Sequence, residues 1–179
     1  MHALSDVPLA PRTTLGIGGA AREFIRATTI DELREALTTS EDVLVLGGGS
    51  NLVVRDGGWP GRVVQIGTTG VAGDGDDITV AAGVVWDDLV AQMVAEGRTG
   101  IECLSGIPGL AGATPIQNVG AYGQEVAETI HAGRVLERAS GEVRELPAEA
   151  CGFGYRDSAF KRAPDRFVVL GGTFALRPG

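Results

Sequence analysis

Apolar residues along this chain fall into short, β-branched runs separated by polar, glycine-rich stretches, and two intervals switch to helical spacing. Residues 1–20, with prolines at 8 and 11, read as an irregular lead-in. Residues 21–27 predict a strand. In 29–40, apolar Leu33, Ala36 and Leu37 recur at helical spacing behind Asp31, which predicts a short helix with Asp31 as its N-cap. Residues 42–47 and 52–56 predict strands flanking the glycine run 47–49, and 62–67 predicts another. A polar hinge spans 68–77.

Residues 78–86 predict a strand bent at Gly83. Helical periodicity returns over 86–98, with Leu89, Met93 and Val94 on one face and Gly97 past the end. The segment 103–125 fits neither period. Strands follow at 131–139, 142–147 and 166–178, the first two joined as a hairpin through Ser140-Gly141. The sum is an α+β chain with a small first lobe, 1–68, and a more β-rich second lobe, 69–179.

Composition changes this picture in one respect. The 179 residues hold 28 glycines against only 9 aromatics, about twice average glycine usage. They cluster between apolar runs, which indicates loops built from bare backbone rather than low-complexity disorder. The net charge of −8 argues against a nucleic-acid surface, which would show a basic stripe. A small anion held by backbone N–H groups stays open. Cys103 and Cys151 lack metal-ligand spacing and read as free thiols of a reducing compartment. No secretory segment opens the chain and no run reaches membrane-spanning length. The expected location is cytoplasmic, with no membrane partner.

Three glycine-bearing segments are candidates for chemistry. Residues 16–21, GIGGAA, match a dinucleotide fingerprint formally. They follow PLAPRTT rather than an apolar strand and lead into a strand rather than a helix, so they are a decoy. Residues 47–51, GGGSN, lack the Lys-Ser/Thr of a phosphate-binding P-loop. Two readings stand: a tight turn between strands, or an anion cradle of consecutive N–H groups with Ser50 and Asn51 beside it.

The third, 105–125, mixes five glycines and two prolines with Thr114, Gln117, Asn118 and Tyr122. Ile107, Ile116 and Val119 suit a flat aromatic ligand, and Thr114, Gln117 and Asn118 its polar edge. The alternative is a structural Ω-loop. Downstream, GFGYRDSAFKR (152–162) sets Arg156 between Tyr155 and Asp157. It is either a surface ion-pair partner or an electrophilic guanidinium aimed at a carboxylate or enolate.

Taken together, GIGGAAREF, LGGGSNLVVRDGG, SGIPGLAGATPIQNVGAYGQE and CGFGYRDSAFK closely resemble the MurB family of UDP-N-acetylenolpyruvoylglucosamine reductases, in the family's order over residues 13–177. The resemblance implies a two-lobed FAD-binding fold of the p-cresol methylhydroxylase and vanillyl-alcohol oxidase type. It implies that Gly47, Gly48, Gly49, Ser50, Asn51 and Leu52 meet the FAD pyrophosphate. Gly106, Ile107, Pro108, Ala113, Thr114, Ile116, Gln117, Asn118, Val119, Gly120 and Tyr122 would wrap the rest of the flavin. Thr114 stands where the family can carry Ser, and Thr13 where it often has Asn.

The implied chemistry is a two-step reduction in which NADPH supplies hydride to FAD and the flavin passes it to the enolpyruvyl group of the UDP-sugar substrate. Arg156 matches the family's active-site arginine and would stabilise the resulting enolate; Tyr155 would shape the substrate pocket. The family's proton-donating serine and catalytic glutamate lie in a C-terminal substrate domain. The sequence ends at Gly179, where that domain should begin, so neither maps onto a residue here. The chain therefore reads as the flavin-binding part of a reductase, or as a flavin-binding module without reductase activity of its own.

Overall fold

In the first apolar run, Ala21, Phe24, Ile25 and Ala27 turn inward and form strand β2 (Ala20–Ala27). The computed structural model describes residues 2–38 and 42–179, which divide into two compact units, Met1–Thr68 and Thr69–Gly179. In the first unit, β1 (Leu4–Pro8) lies antiparallel on β2, so the lead-in is ordered where an irregular segment was expected. Its prolines sit at the end of β1 and inside a 3₁₀ turn (Ala10–Arg12), places that need no ladder N–H from them.

Helix α1 (Ile30–Thr38) buries Leu33, Ala36 and Leu37, as the periodicity predicted. Asp31 is not its N-cap. Thr29 Oγ1 accepts from the Glu32 N–H at 3.2 Å, and the Glu32 carboxylate accepts from the Thr29 N–H, a capping box whose N-cap stands two residues earlier. The end of the predicted helix, residues 39 and 40, lies outside the described residues.

Strands β3 (Val43–Leu46) and β4 (Trp59–Ile66) complete a four-stranded sheet in the order β1-β2-β4-β3. β2, β4 and β3 run parallel, with Leu46 opposite Gln65 and Ala27 opposite Ile66. Residues 52–56 are not the predicted strand. The chain there passes over the 16–19 loop, the Arg55 carbonyl accepting from both Gly19 N and Gly58 N. Arg62 clamps sheet to helix, bidentate on Glu23 and donating to the Ala36 carbonyl.

The second unit is a five-stranded antiparallel sheet. β5 (Val71–Asp74) runs through the predicted hinge and β6 (Asp77–Ala81) follows; they join β10 (Ile130–Glu137), β11 (Val143–Pro147) and β12 (Phe167–Ala175) in the order β11-β10-β12-β6-β5. β6 stops at Ala81, so Gly83 lies in the following turn rather than in a bent strand. Helix α2 (Trp86–Ala95) buries Trp86, Leu89, Val90 and Met93; Val94, expected inside, is half exposed. The buried stripe lies one position away because Trp86, at the first turn, sets the inward face. Its indole donates to the Leu104 carbonyl at 3.1 Å and its ring lies 5.9 Å from Phe174.

Short pairs follow: β7 (Arg98–Thr99), β8 (Gly120–Ala121) and β9 (Gln124–Glu125). The expected hairpin is present as β10 (Ile130–Glu137) and β11 (Val143–Pro147). The predicted strand 166–178 is β12 (Phe167–Ala175) followed by a separate β13 (Arg177–Pro178) that pairs with β7. Two short helices, α3 (Ala148–Cys151) and α4 (Ala159–Arg162), flank the Tyr155-Arg156 stretch. Cys103 and Cys151 are free thiols. Among the described residues, no helix is long and apolar enough to cross a membrane.

Candidate functional site

In the first unit the loop Gly47–Asn51 leaves the carboxyl end of β3. Gly49 meets backbone. A Cβ on Gly49, at φ +67°, would lie 2.0 Å from the Arg12 carbonyl oxygen, and the Gly49 carbonyl accepts from Thr14 N at 3.1 Å. The same holds for Gly19 of the formal fingerprint and for Gly58. A Cβ on Gly19 would meet the Asp56 carbonyl, and one on Gly58 the Ala20 carbonyl at 1.9 Å. GIGGAA is thus a backbone-packing element. Gly48 and Asn51 stay exposed at the tip, while Gly47, Ser50 and Leu52 are partly buried.

One first-unit residue had no signal in the sequence. Thr68 is 7% exposed and its hydroxyl is a buried polar atom with no hydrogen-bond partner.

In the second unit the irregular segment is stitched down by side chains. Asp87, in the first turn of α2, accepts from Gly106 N at 2.6 Å and from Ser105 Oγ at 3.0 Å, and these two donors hold its carboxyl below the usual carboxylate range. Ile107 packs on the core at half-burial and Val119 lies inside it. Pro108, Ala113 and Ile116 are exposed and Gln117 is half-buried. Thr114 is buried, its hydroxyl donating to the Ala111 carbonyl at 2.8 Å.

Asn118 is 1% exposed and sits at φ +44°. Its amide donates to Glu125 at 2.8 Å and to the Gly154 carbonyl at 3.1 Å, and its oxygen accepts from Ala127 N at 2.9 Å. Its side chain therefore serves as a cross-link within the unit.

Two hairpin tips meet through these bonds. β8 and β9 are joined by Tyr122-Gly123, both at positive φ (+51° and +85°), a two-residue type I′ turn. Gly154–Asp157 forms a second turn closed by reciprocal backbone bonds of 3.0 and 3.1 Å, with Arg156 at φ +52°. That left-handed position usually takes Gly or Asn, and an arginine held there is strained. The guanidinium donates to the Gly120 carbonyl at 2.5 Å, and Lys161 Nζ donates to the Arg156 carbonyl at 2.7 Å.

The ion pair of this stretch is Asp157 with Arg162, not Arg156 with a carboxylate. Arg162 holds the Asp157 carboxyl below its usual range. Tyr122 (92%) and Tyr155 (85%) stand almost fully exposed. With Arg156, Gly120, Gln124, Glu125 and Glu128 they line a cavity of about 400 Å³.

Residues outside the sequence-based set hold this arrangement. Ser158 caps α4 and donates to the Ile116 carbonyl at 2.5 Å; a serine just before the short AFKR helix is a readable cap signal. Asp87 and Gln124, whose amide bridges Cys103 N and Glu102, act across 18 or more residues and leave no local pattern. The chemistry available is an arginine with donors to spare beside two aromatic rings, a combination suited to a planar, anionic ligand.

Comparison with known proteins places this geometry. A family model described as FAD binding domain matches residues 21–147. The UDP-N-acetylenolpyruvoylglucosamine reductase of Streptomyces avermitilis is 51% identical over 180 residues, covering 98% of this chain and 50% of that protein. The crystal structure of UDP-N-acetylenolpyruvylglucosamine reductase (MurB) from Thermus caldophilus matches with a TM-score of 0.79 at 30% identity. That match covers 99% of this chain and 62% of that one. BBE-like 1 of Physcomitrella patens shares the fold, with a TM-score of 0.65 at 18% identity over 88% of this chain and 37% of that one. The chain spans about half the length of the curated relatives it matches.

Proposed function

This chain belongs to the FAD binding domain family, and from that premise we propose that it is the flavin-binding part of an NADPH-dependent reductase. The substrate is the enolpyruvyl group of UDP-N-acetylglucosamine-enolpyruvate, and the product, UDP-N-acetylmuramate, serves cytoplasmic peptidoglycan precursor synthesis. The observation that carries this reading is the strained Arg156 turn, pinned to Gly120 beside Tyr155 and the exposed Tyr122.

The residues present fit an FAD. Gly47–Leu52 offer bare backbone for its pyrophosphate, and the exposed and half-buried residues of 106–122 offer apolar contact and backbone groups for its ring system. Bound FAD supplies hydride-transfer chemistry, with NADPH as the hydride source. Arg156 then has four N–H donors beyond the one spent on Gly120. They stabilise the negative charge that develops on the substrate's carboxylate and enolate, a contribution of a few kcal/mol per well-placed donor. Tyr155 flanks the substrate. Asn118 and Thr114 act from beneath, fixing the backbone on which these groups stand. Ser105 and Ser158 are committed to Asp87 and Ile116, and neither is assigned as a proton donor.

The first test is the visible spectrum of the purified chain titrated with FAD. A shifted, protein-bound flavin band is expected, and its absence would remove the cofactor assignment from the chain as it stands. In the full-length reductase, Arg156→Ala is expected to lose turnover at least 100-fold with flavin retained; unchanged turnover would remove Arg156 from the mechanism. A second reading, a flavin-binding module with no activity of its own, is favoured by the half-length coverage. Adding the separately expressed remaining half discriminates: restored turnover identifies a divisible enzyme, and none identifies the module.

A further inference from the structure

We propose that Thr68 is a cofactor-contacting residue whose hydroxyl donates to a pyrophosphate oxygen of FAD held at the carboxyl edge of the parallel strands β2, β4 and β3. This rests on the FAD reading above.

Register fixes the position. Leu46 on β3 lies opposite Gln65 on β4, and Ala27 on β2 opposite Ile66. The three strands therefore release their chains along one edge, at Thr28, Gly47 and Gly67. Gly67 N still donates to the Ala27 carbonyl at 2.8 Å, so Thr68 is the first residue past the last sheet bond. It lies one strand over from the glycine loop, and neighbouring strands are about 4.8 Å apart. In open sheets of parallel strands, ligands bind outside the carboxyl ends.

The state of the hydroxyl argues for a ligand rather than a structural role. Four other hydroxyl residues are buried among the described residues, and each has its acceptor. Thr13 donates to Ala10 and Ile17, Thr114 to Ala111, Thr129 to Val126 and Ser158 to Ile116. Thr68 Oγ1 alone among the described buried side-chain polar atoms has none. A buried hydroxyl without a partner carries a desolvation cost, so its retention asks for an explanation outside the unit's own bonds.

The edge carries both signs of charge, with the Glu32 carboxylate accepting from Thr28 N and Oγ1. Arg12, stacked on Phe24, donates to Gln65 at 3.3 Å, and its carbonyl lies under Gly49. The Arg26 guanidinium lies against Gly67. A phosphoryl oxygen is an acceptor that suits a buried hydroxyl, and a bond to an ionised oxygen is stronger than one to a carbonyl.

The test titrates the apo chain with FAD and with riboflavin, which lacks the pyrophosphate, following flavin fluorescence in wild type, Thr68→Val and Thr68→Ser. Expected for Thr68→Val are FAD binding weakened about ten-fold or more, riboflavin binding unchanged, and an apo melting temperature equal to or above wild type. Thr68→Ser should bind FAD within about three-fold of wild type. FAD binding by Thr68→Val equal to wild type would overturn the proposal. So would a parallel loss of riboflavin binding, or a lowered apo melting temperature that exposes an internal partner. A wild-type chain that binds neither flavin would overturn the cofactor reading itself, a result distinct from the other three.

Discussion

The two units hold irregular backbone by opposite means. In the first, side chains are removed so that main chain meets main chain: Gly49 on Arg12, Gly19 on Asp56 and Gly58 on Ala20. In the second, side chains do the holding, with Asn118, Asp87, Ser158 and Arg156 each bonding backbone that no ladder satisfies. A bare-backbone contact has no give, because a Cβ at 2 Å from a carbonyl oxygen must displace a loop. A side-chain tie is one bond among several and can be lost singly. The first design leaves Gly48 and Asn51 at the surface, and the second leaves two tyrosine rings beside a guanidinium.

The largest effect expected from this contrast is Gly49→Ala or Gly58→Ala. Each combines a positive φ with a clash of 2.0 Å or less against a backbone oxygen. A loss of about 3 kcal/mol or more is expected in urea unfolding, enough to endanger the folded first unit. Gly57→Ala is the internal control, since nothing lies within 4 Å of its added Cβ; a change within about 0.5 kcal/mol is expected. Equal losses at 57 and 58 would refute the packing account.

Next comes Asn118→Ala, which strands the Ala127 N–H and releases the Gly154 turn. The expected cost is about 2–3 kcal/mol, from unsatisfied buried groups and a left-handed φ that alanine tolerates poorly. Arg156→Gly separates stability from function. Glycine relieves the strain at φ +52° while the Gly120 bond is lost, so stability should stay within about 1 kcal/mol of wild type. Turnover in the full-length enzyme should nonetheless collapse. A stability loss as large as that of Asn118→Ala would mean Arg156 is mainly a staple.

How much of this was legible in the sequence follows the same division. Helices α1 and α2 were read from local periodicity, because their buried positions recur at helical spacing, and the strands at 20–27, 43–46, 59–66, 130–137 and 143–147 overlap short apolar runs that were legible one by one. Errors fell where a tertiary contact overrides it. Val53 and Val54 are β-branched and read as strand, yet the segment is tied to the 16–19 loop through the neighbouring Arg55 carbonyl rather than to a sheet. Residues 71–74 looked like a polar hinge but pair with β6 as an edge strand, where exposed polar positions cost little. Site segments 47–51 and 106–122 were visible as glycine excess. Thr68 and Asp87 were not, since an orphaned hydroxyl and a long-range carboxylate anchor exist only once the chain has folded.

The smallest effect concerns the Asp87 anchor and its dependence on pH. Gly106 N–H, followed by Ser105 Oγ, favours the charged carboxylate and lowers its pKa in the folded state. The unfolded chain titrates near the ordinary aspartate value of about 3.9. The folded state therefore binds fewer protons than the unfolded one in the interval between the two values, and stability rises with pH there. The contribution is fully present above about pH 5 and is lost as pH falls through the folded value. Asp87→Asn keeps an acceptor but removes the charge. Its melting temperature should lie slightly below wild type at pH 7, with the gap closing below about pH 4. Because the ties of this unit are separate, the loss should be confined to the 105–106 turn. Amide exchange should accelerate at Gly106 while Asn118-bonded Ala127 stays protected. Equal acceleration at both would mean that the second unit's ties act as one cooperative network, contrary to the independence inferred from their geometry.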